Sequence, residues 1–496
     1  MDRLWIYIAL AVVLWIAKRI CTALTSPLSR IPGPLYTKFT RLPLKLSILA
    51  GQRIYFIDTL HKAYGHIVRI SPTEISISSL PEFKEIHRVG SPFLKSKWYE
   101  EFVMGETPGV FNMRDSKQHA ARRRLFARAF SKTVLRREWE GVVRLKVQKA
   151  VERMKGDMTR PDGDGKCDIL KWWTFLATDV AGHLMFGDDF GMLELGVKNE
   201  YIAVLESTMK GSGINAELPL IGFISRHLPI AAMRTMFRAN EYLTDYGRRA
   251  VINAKANSDS SRNVFSGMIY AAEKGDDSLT DLDVATEAGN LIVAGSDTTA
   301  VTLTYLVWAV LSRPSLKRDL EDELLALGDD YDDAKLETYP LLNAVIKETL
   351  RLYGAAPGSL PRSVPEGGAT LGGYFIPEGV TVSTQSWTMH RDENNFRDPE
   401  EFDVSRWMKA EDDPSKRGSG LANMAFSPFG AGARICLGIH LAEMELRLAV
   451  AEFFRECRGA RLASDMSWGT MRPENYFLIA PVEHRCEITW ESAGSR

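Results

Sequence analysis

The sequence predicts a mainly α-helical domain with a minor β portion, set behind a single N-terminal apolar helix. Three observations predict it. Helical apolar spacing dominates from about residue 116 to 352, alternating runs are short and confined to residues 66–78 and 362–385, and Leu4 to Ala17 is an uninterrupted apolar run. The chain has 496 residues, 45% apolar and 25% charged, ample for a large core. Lys+Arg 62 against Asp+Glu 63 leaves no basic excess for nucleic acid. Five cysteines, an odd number without a Cys-x-x-Cys pair, argue against a disulfide framework or a structural zinc site and fit a reducing compartment.

The N-terminal run is shorter than the roughly 20 residues that span a bilayer comfortably. A signal-peptide hydrophobic region is the alternative. Positive charge lies mostly after the run (Lys18, Arg19, Arg30, Lys38, Arg41), which holds the following domain in the cytoplasm. Lys18 and Arg19 can snorkel and extend the buried helix toward Leu24. Residues 1–26 therefore read as an anchor. Pro27, Pro32, Gly33 and Pro34 stop the helix, so residues 27–45 read as a stiff hinge before the folded domain of residues 46–496.

Within that domain, His66 to Ile70 and Glu74 to Ser78 alternate around Ser71-Pro72 and predict a hairpin. Residues 161–166 and 255–262 read as solvated loops. The Gly-x-Gly of Gly163 and Gly165 lacks a preceding strand and a third glycine, which excludes a dinucleotide site. A long helix is predicted over Asp281 to Ser312, N-capped by Thr280 and stopped before Pro314. Its centre, Ala294-Gly295-Ser296-Asp297-Thr298-Thr299, sets an acid and an alcohol beside glycine in an apolar helix. Threonine bonds back to the i−4 carbonyl and glycine weakens the ladder, so a local opening there is physically reasonable. Glu348 and Arg351 share one face of the helix after Pro340 and can pair.

Phe429-Gly-Ala-Gly-Ala-Arg434-Ile-Cys436-Leu-Gly438 is a glycine-rich loop closing on one cysteine, with an amphipathic helix directly behind it. Glycines let the backbone turn tightly and approach a flat ligand. An adjacent arginine and a helix N-terminus favour the thiolate. A cysteine so placed can be a nucleophile, a redox centre or an axial ligand to haem iron. His390-Arg391-Asp392 invites a triad reading, but without a Gly-x-Ser-x-Gly elbow a hydrolase has little support.

The loop resembles the haem-binding signature of the cytochrome P-450 family, Phe-x-x-Gly-x-Arg-x-Cys-x-Gly, at every fixed position: Phe429, Gly432, Arg434, Cys436 and Gly438. Ala294 to Thr299 is similar to the family's oxygen-activation motif. Glu348, Arg351 and Arg406 are similar to its structural charge network, with Val404 where the family usually has proline, a departure that loosens that segment. The resemblance covers essentially the whole chain and implies the mostly-α P-450 fold, with residues 46–496 as the haem-binding catalytic domain and haem b ligated by Cys436. It implies that Arg434, Arg362, His119 and Arg123 meet the haem propionates, that Thr298 holds bound oxygen by hydrogen bonding and that Asp297 relays protons. Arg122 is left as a solvated basic position, and Arg124, Lys132, Arg136 and Arg137 could form a patch for an acidic redox partner.

By the same resemblance the chain is a monooxygenase. Its electrons come from NADPH through a separate cytochrome P-450 reductase, with cytochrome b5 as a further partner, at the cytoplasmic side of the endoplasmic-reticulum membrane. Its substrate is a small hydrophobic molecule of fungal secondary metabolism, with an aromatic polyketide as the first expectation. Pocket positions expected by analogy are Phe102 to Val110, Ala294, Ala355 to Ser359 and Tyr476-Phe477. An oxygen-independent haem-thiolate isomerase or dehydratase, and a non-catalytic haem sensor or carrier, are the competing readings. The intact Asp297-Thr298 pair disfavours the former, and dependence of turnover on a reductase would exclude the latter.

Overall fold

The computed structural model describes residues 2–103, 107–160, 165–187, 189–197, 210–227, 247–248, 263–265, 279–408 and 423–490. The loop expected over residues 255–262 lies outside them. Helix α1 (Asp2–Thr25) stands apart from the domain. Among the described residues two helices are long and apolar enough to cross a membrane: α1, whose window is 0% buried, and α5 (Asp281–Leu311), which is 72% buried and forms the centre of the core.

The proline-rich segment is docked onto the domain. Pro27–Arg30 and Leu35–Lys38 form short 3-10 turns, and Leu28 and Ile31 are buried against the first sheet. The Arg69 amide donates to Pro32 O (2.8 Å) and the Arg69 guanidinium to Leu28 O (2.8 Å). Gly33 lies at φ 150°, where a methyl group would sit 2.5 Å from Arg69 O.

The alternating run at 66–78 forms a hairpin of β1 (Ile67–Ser71) and β2 (Glu74–Ile77), with Ile67 opposite Ile77. Three more strands, β3 (Leu94–Lys95), β4 (Arg362–Ser363) and β5 (Thr381–Thr384), complete a sheet in the order β1-β2-β5-β4-β3. Only β2 and β5 pair in parallel. Lys166, expected in a loop, instead heads a strand over Lys166–Asp168 that pairs with Glu487–Trp490; the long-range partner overrides the local polar composition.

The helical layer packs α2 (Ser116–Ala127), α3 (Glu140–Thr159), α4 (Ile169–Phe186), α5, α6 (Pro340–Tyr353) and α7 (Ile439–Glu456) around one apolar core. Helix α5 begins with a capping box: Thr280 Oγ1 accepts from the Asp283 amide (3.1 Å), and Asp283 Oδ2 accepts from the Thr280 amide (3.0 Å). Toward its other end Tyr305 stacks on Tyr353 of α6, with ring centroids 5.0 Å apart.

Glu348 and Arg351 on α6 are both fully buried. The Glu348 carboxylate accepts from Arg351 Nε (2.9 Å), Arg406 Nε (3.0 Å), Trp407 Nε1 (2.7 Å) and the Asp403 amide (2.9 Å). Arg351 also donates to the carbonyls of His390, Pro399 and Glu401. Val404 opens a turn at Val404–Trp407 that Asp403 caps by accepting from the Ser405 amide (2.9 Å). Removing one partner of such a buried network leaves the others charged and unpaired. Glu348→Ala should therefore cost about 3–5 kcal/mol, read as a lower urea midpoint at unchanged m. Arg406→Ala, at the rim of the network, should cost less.

Candidate haem-thiolate site

The cysteine loop is tied to the α6 network through His390. The Ser427 amide donates to His390 Nε2 (3.0 Å), so Nε2 is the acceptor and Nδ1–H donates to Arg351 O (2.9 Å). Burial pushes His390 down to about 3, so it stays neutral and is a structural spacer rather than part of a triad. Beyond Ser427 the chain turns through Gly430 (φ 74°) and Gly432 (φ 63°), and the Cys436 amide closes the loop onto Phe429 O (2.9 Å). A methyl group on Gly432 would sit 1.7 Å from His87 O, so close backbone contact requires glycine there. Gly438 ends the loop and caps α7; a methyl group on it would meet nothing within 4 Å.

Cys436 is deep in the protein, and the surface it exposes faces a cavity of about 360 Å³. Burial raises its thiol above the ordinary range, opposed by the Gly438 amide and by Arg123. The arginine beside it in sequence is not its charge partner. Arg434 turns away and donates to Met113 O (2.7 Å) and Arg114 O (3.0 Å), so the expectation that Arg434 favours the thiolate is corrected to Arg123 of α2.

The same cavity is lined by Lys95, His119, Arg123, Arg362 and Arg434. Arg362, on β4, donates to Phe93 O (3.3 Å) and contacts His87 Nδ1 (3.3 Å), while its Nε is buried without a partner. Lys95 lies over the rings of Tyr99 (4.1 Å) and Phe111 (4.4 Å) and donates to Phe111 O. Burial first, and then Arg362 and Arg434, hold its ammonium well below the usual lysine range. His119 is driven down to about 3 by burial and by Arg434, Lys95, Arg123 and Arg362. None of the four cations is ion-paired among the described residues.

Buried like charges without counter-ions are expensive. Two carboxylates brought by a ligand would relieve them, as would a hydrogen-bond acceptor at Arg362 Nε. A flat dianionic macrocycle whose iron meets Cys436 therefore fits the residues present, with Gly438 leaving room at its face.

Helix α5 supplies the other wall. Ala294, Gly295, Thr298, Thr299 and Thr302 line the cavity, and Thr298 Oγ1 donates back to Ala294 O (2.7 Å). Asp297 is half-buried beside it. Of the pocket positions expected by analogy, Phe102, Val103, Val110, Ala294, Ala355, Ala356 and Phe477 line this cavity. Ser359 and Tyr476 line a smaller neighbouring one, and residues 104–106 lie outside the described chain.

Three functional groups escaped the sequence reading. Lys95 carries no local signal, because only tertiary burial separates it from a solvated lysine. Glu445 had one: it sits on the apolar face of α7 between Leu441 and Leu448 and is pushed up to about 8 by burial, with Thr299 opposing. Glu287 likewise interrupts the apolar face of α5. It accepts from Arg122 Nη1 (3.0 Å) and the Val110 amide (2.8 Å), while Arg122 Nη2 also donates to Asp283 (3.0 Å). Arg122 is thus a buried ion-pair partner joining α2 to α5, not a solvated position. Three residues of the expected basic patch make local ion pairs. Lys132 and Arg136 pair with Glu337, Arg136 also with Asp333, and Arg137 with Glu138.

A cysteine-closed loop and an acid-alcohol helix face one cavity lined by cations without an ion-pair partner among the described residues, and the comparisons with known proteins decide the family. The cytochrome P450 family model matches residues 36–482. The chain belongs to the cytochrome P-450 family. It is 40% identical to the cytochrome P-450 monooxygenase cypX of Dothistroma septosporum, over 98% of this chain and 95% of that protein. It is 41% identical to the cytochrome P-450 monooxygenase stcB of Emericella nidulans, over 96% and 90%. A methylphloroacetophenone oxidase of Cladonia uncialis is 32% identical over 77% and 86%. The crystal structure of a cytochrome P-450 haem domain superposes with a TM-score of 0.76 at 16% identity, covering 94% of this chain and 99% of that one. The protein is a haem-thiolate monooxygenase with haem b as cofactor, a hydrophobic substrate, and electrons from NADPH supplied by a reductase.

The Arg122–Glu287 pair gives the site a pH signature. Burial raises the Glu287 carboxyl to about 7, outweighing Arg122 and the Val110 amide. A carboxyl raised on folding contributes stability that is fully present below the ordinary glutamate range and lost as pH rises through its folded value. Between about pH 5 and 8 the wild-type protein should lose about 3 kcal/mol relative to Glu287→Gln, read from paired urea unfolding curves across that window.

Proposed function

We propose that this monooxygenase acts in fungal secondary metabolism on an oxygenated aromatic substrate of polyketide type. What supports the reading is one apolar, aromatic-rich cavity shared by Cys436 and Thr298, in a chain whose relatives are fungal monooxygenases, one of them named as an oxidase of a phenolic ketone. Phe102, Phe111 and Phe477 contact one another at centroid distances of 4.6 to 5.8 Å and offer ring faces and edges to a flat substrate. The net reaction places one atom of O2 in the substrate and releases the other as water, with two electrons from NADPH.

In this reading Cys436 is the proximal iron ligand, and haem supplies the oxygen-activating chemistry when bound. Arg434, Arg362, Arg123 and His119 hold its propionates, while Phe429, Gly432 and Gly438 shape the loop against it. Thr298 keeps a hydroxyl at the oxygen side, and Asp297, half-buried one residue earlier, carries protons in from solvent. Glu348, Arg351 and Arg406 hold the loop without touching the reactants. Helix α1 anchors the chain in the endoplasmic-reticulum membrane with residues 46–496 on the cytoplasmic side. The exposed apolar side chains of Leu35, Phe39, Leu42 and Leu46 support that reading because they continue its apolar surface through the 27–45 segment. Cytochrome b5 is a second electron donor.

Two measurements test this reading. Cys436→Ala should abolish the strongly red-shifted Soret band of the reduced carbon monoxide complex; retention of that band refutes the ligand assignment. Incubation with 18O2, NADPH, reductase and an aromatic polyketide panel should yield product one labelled oxygen heavier, and label-free product refutes the reaction.

Thr298→Ala should uncouple the reaction, cutting product per NADPH about tenfold or more while hydrogen peroxide accumulates and the carbon monoxide spectrum is unchanged. Coupling that survives in both Thr298→Ala and Thr298→Val would leave the hydroxyl only a packing role.

A further inference from the structure

On the α5 wall, Asn290 has its amino group left without a hydrogen-bond partner. Thr286 Oγ1 is engaged with Thr107 Oγ1 (3.2 Å), and Thr298 Oγ1 with Ala294 O. Asn290 lines the cavity, yet its Nδ2 is shut off from water and has no hydrogen-bond partner. The same holds for Glu287 Oε2, one turn earlier. Both face Gly109: a methyl group there would lie 2.4 Å from Asn290 Nδ2 and 3.1 Å from Glu287 Oε2. Glycine at 109 is what leaves the amide its place.

This arrangement orients the amide. Its amino end, Nδ2, is the one buried against Gly109, on the Glu287 side. The carbonyl end, Oδ1, is then the one presented to the cavity, where its natural partner is a hydroxyl donor. Asn290, Ala294 and Thr298 follow one another at i, i+4 and i+8, so all three lie along one face of α5. Eight residues of helix place Asn290 about 12 Å from Thr298 along the axis, roughly the length of a fused three-ring aromatic.

We propose that Asn290 is a specificity-determining residue whose Oδ1 accepts a hydrogen bond from a phenolic hydroxyl at one end of the substrate, fixing which carbon at the other end lies beside Thr298. The inference deepens the aromatic-substrate reading above and rests on it. The occupant it selects is a flat hydrophobic molecule with a free hydroxyl about 12 Å from the oxidised position. Methylating that hydroxyl removes the donor and leaves Oδ1 facing carbon.

The test is a Soret spin-shift titration of the haem-loaded full-length protein with 2-hydroxyanthraquinone, 2-methoxyanthraquinone and anthraquinone. The wild-type protein should bind the hydroxy compound about tenfold more tightly than the methoxy compound, the worth of one well-made hydrogen bond. Asn290→Leu should bring that ratio to about one, with anthraquinone affinity and the carbon monoxide spectrum showing that the pocket is intact. Asn290→Ser serves as a second, smaller replacement, and should also lose the preference. A hydroxy-to-methoxy ratio that is equal in wild type and Asn290→Leu, or a wild-type protein without any preference, overturns the proposal. If no anthraquinone shifts the band, the aromatic reading fails on its own. The same comparison with 1-dodecanol and 1-methoxydodecane then decides Asn290 by the same two criteria.

Discussion

The fully buried ion pair of Glu348 and Arg351 is the constraint on which the active site depends. The Glu348 carboxylate is saturated by two guanidinium groups, an indole N–H and a backbone amide, so each donor is fixed relative to the others. Arg351 spends its remaining donors on three carbonyls of the segment from His390 to Glu401. His390 then passes that fixed position to Ser427, at the head of the cysteine loop. A buried charge pair is weak as a source of net stability, because desolvation offsets attraction. Its value here is geometric: a loop rich in glycine has little conformational preference of its own and takes its shape from what it is tied to.

The loop and α5 meet across a cavity whose electrostatics are deliberately unfinished. Lys95, Arg123, Arg362 and Arg434 come from four separate segments and none is ion-paired among the described residues; Lys95, Arg362 and Arg434 find carbonyls, rings and one histidine. Burial first, and then these four cations, keep His119 from taking up a proton near neutrality. The protein thereby stores an affinity for a dianionic ligand in its fold. The thiol is handled the same way: burial opposes its ionisation, and only the Gly438 amide and Arg123 favour it before a metal ligand bond does.

Opposite charges are used differently on the α5 side. Arg122 joins α2 to α5 through Asp283 and Glu287, and Glu287 also receives the Val110 amide from the loop over the cavity. One carboxylate therefore sets both the seat of that loop and the surroundings of Asn290. Substrate recognition and helix packing share an anchor, so a change at Glu287 would be felt in both.

The sequence by itself determined the fold class, the hairpin at 66–78, the capped helix after Thr280 and the cysteine loop. Each is a local pattern: alternation, a capping pair, or glycines at fixed spacing around one thiol. It also pointed to Glu348, Arg351 and Arg406, because an i, i+3 pair on one helix face is readable without a structure. Tertiary structure decided everything that depends on burial or on partners distant in the chain. Lys95 is a pocket cation only because Tyr99 and Phe111 enclose it, and Lys166 is in a strand only because residues near the C-terminus pair with it. Arg122 looked like a solvated neighbour of Arg123, yet Asp283 and Glu287, some 160 residues away, turn it inward. Arg434 looked like the partner of the adjacent thiol, yet it bonds the carbonyls of Met113 and Arg114 and leaves that task to α2. Adjacency in sequence fixes which residues are near one another along the chain; the direction a long cationic side chain takes is set by whichever distant acceptor removes its desolvation cost.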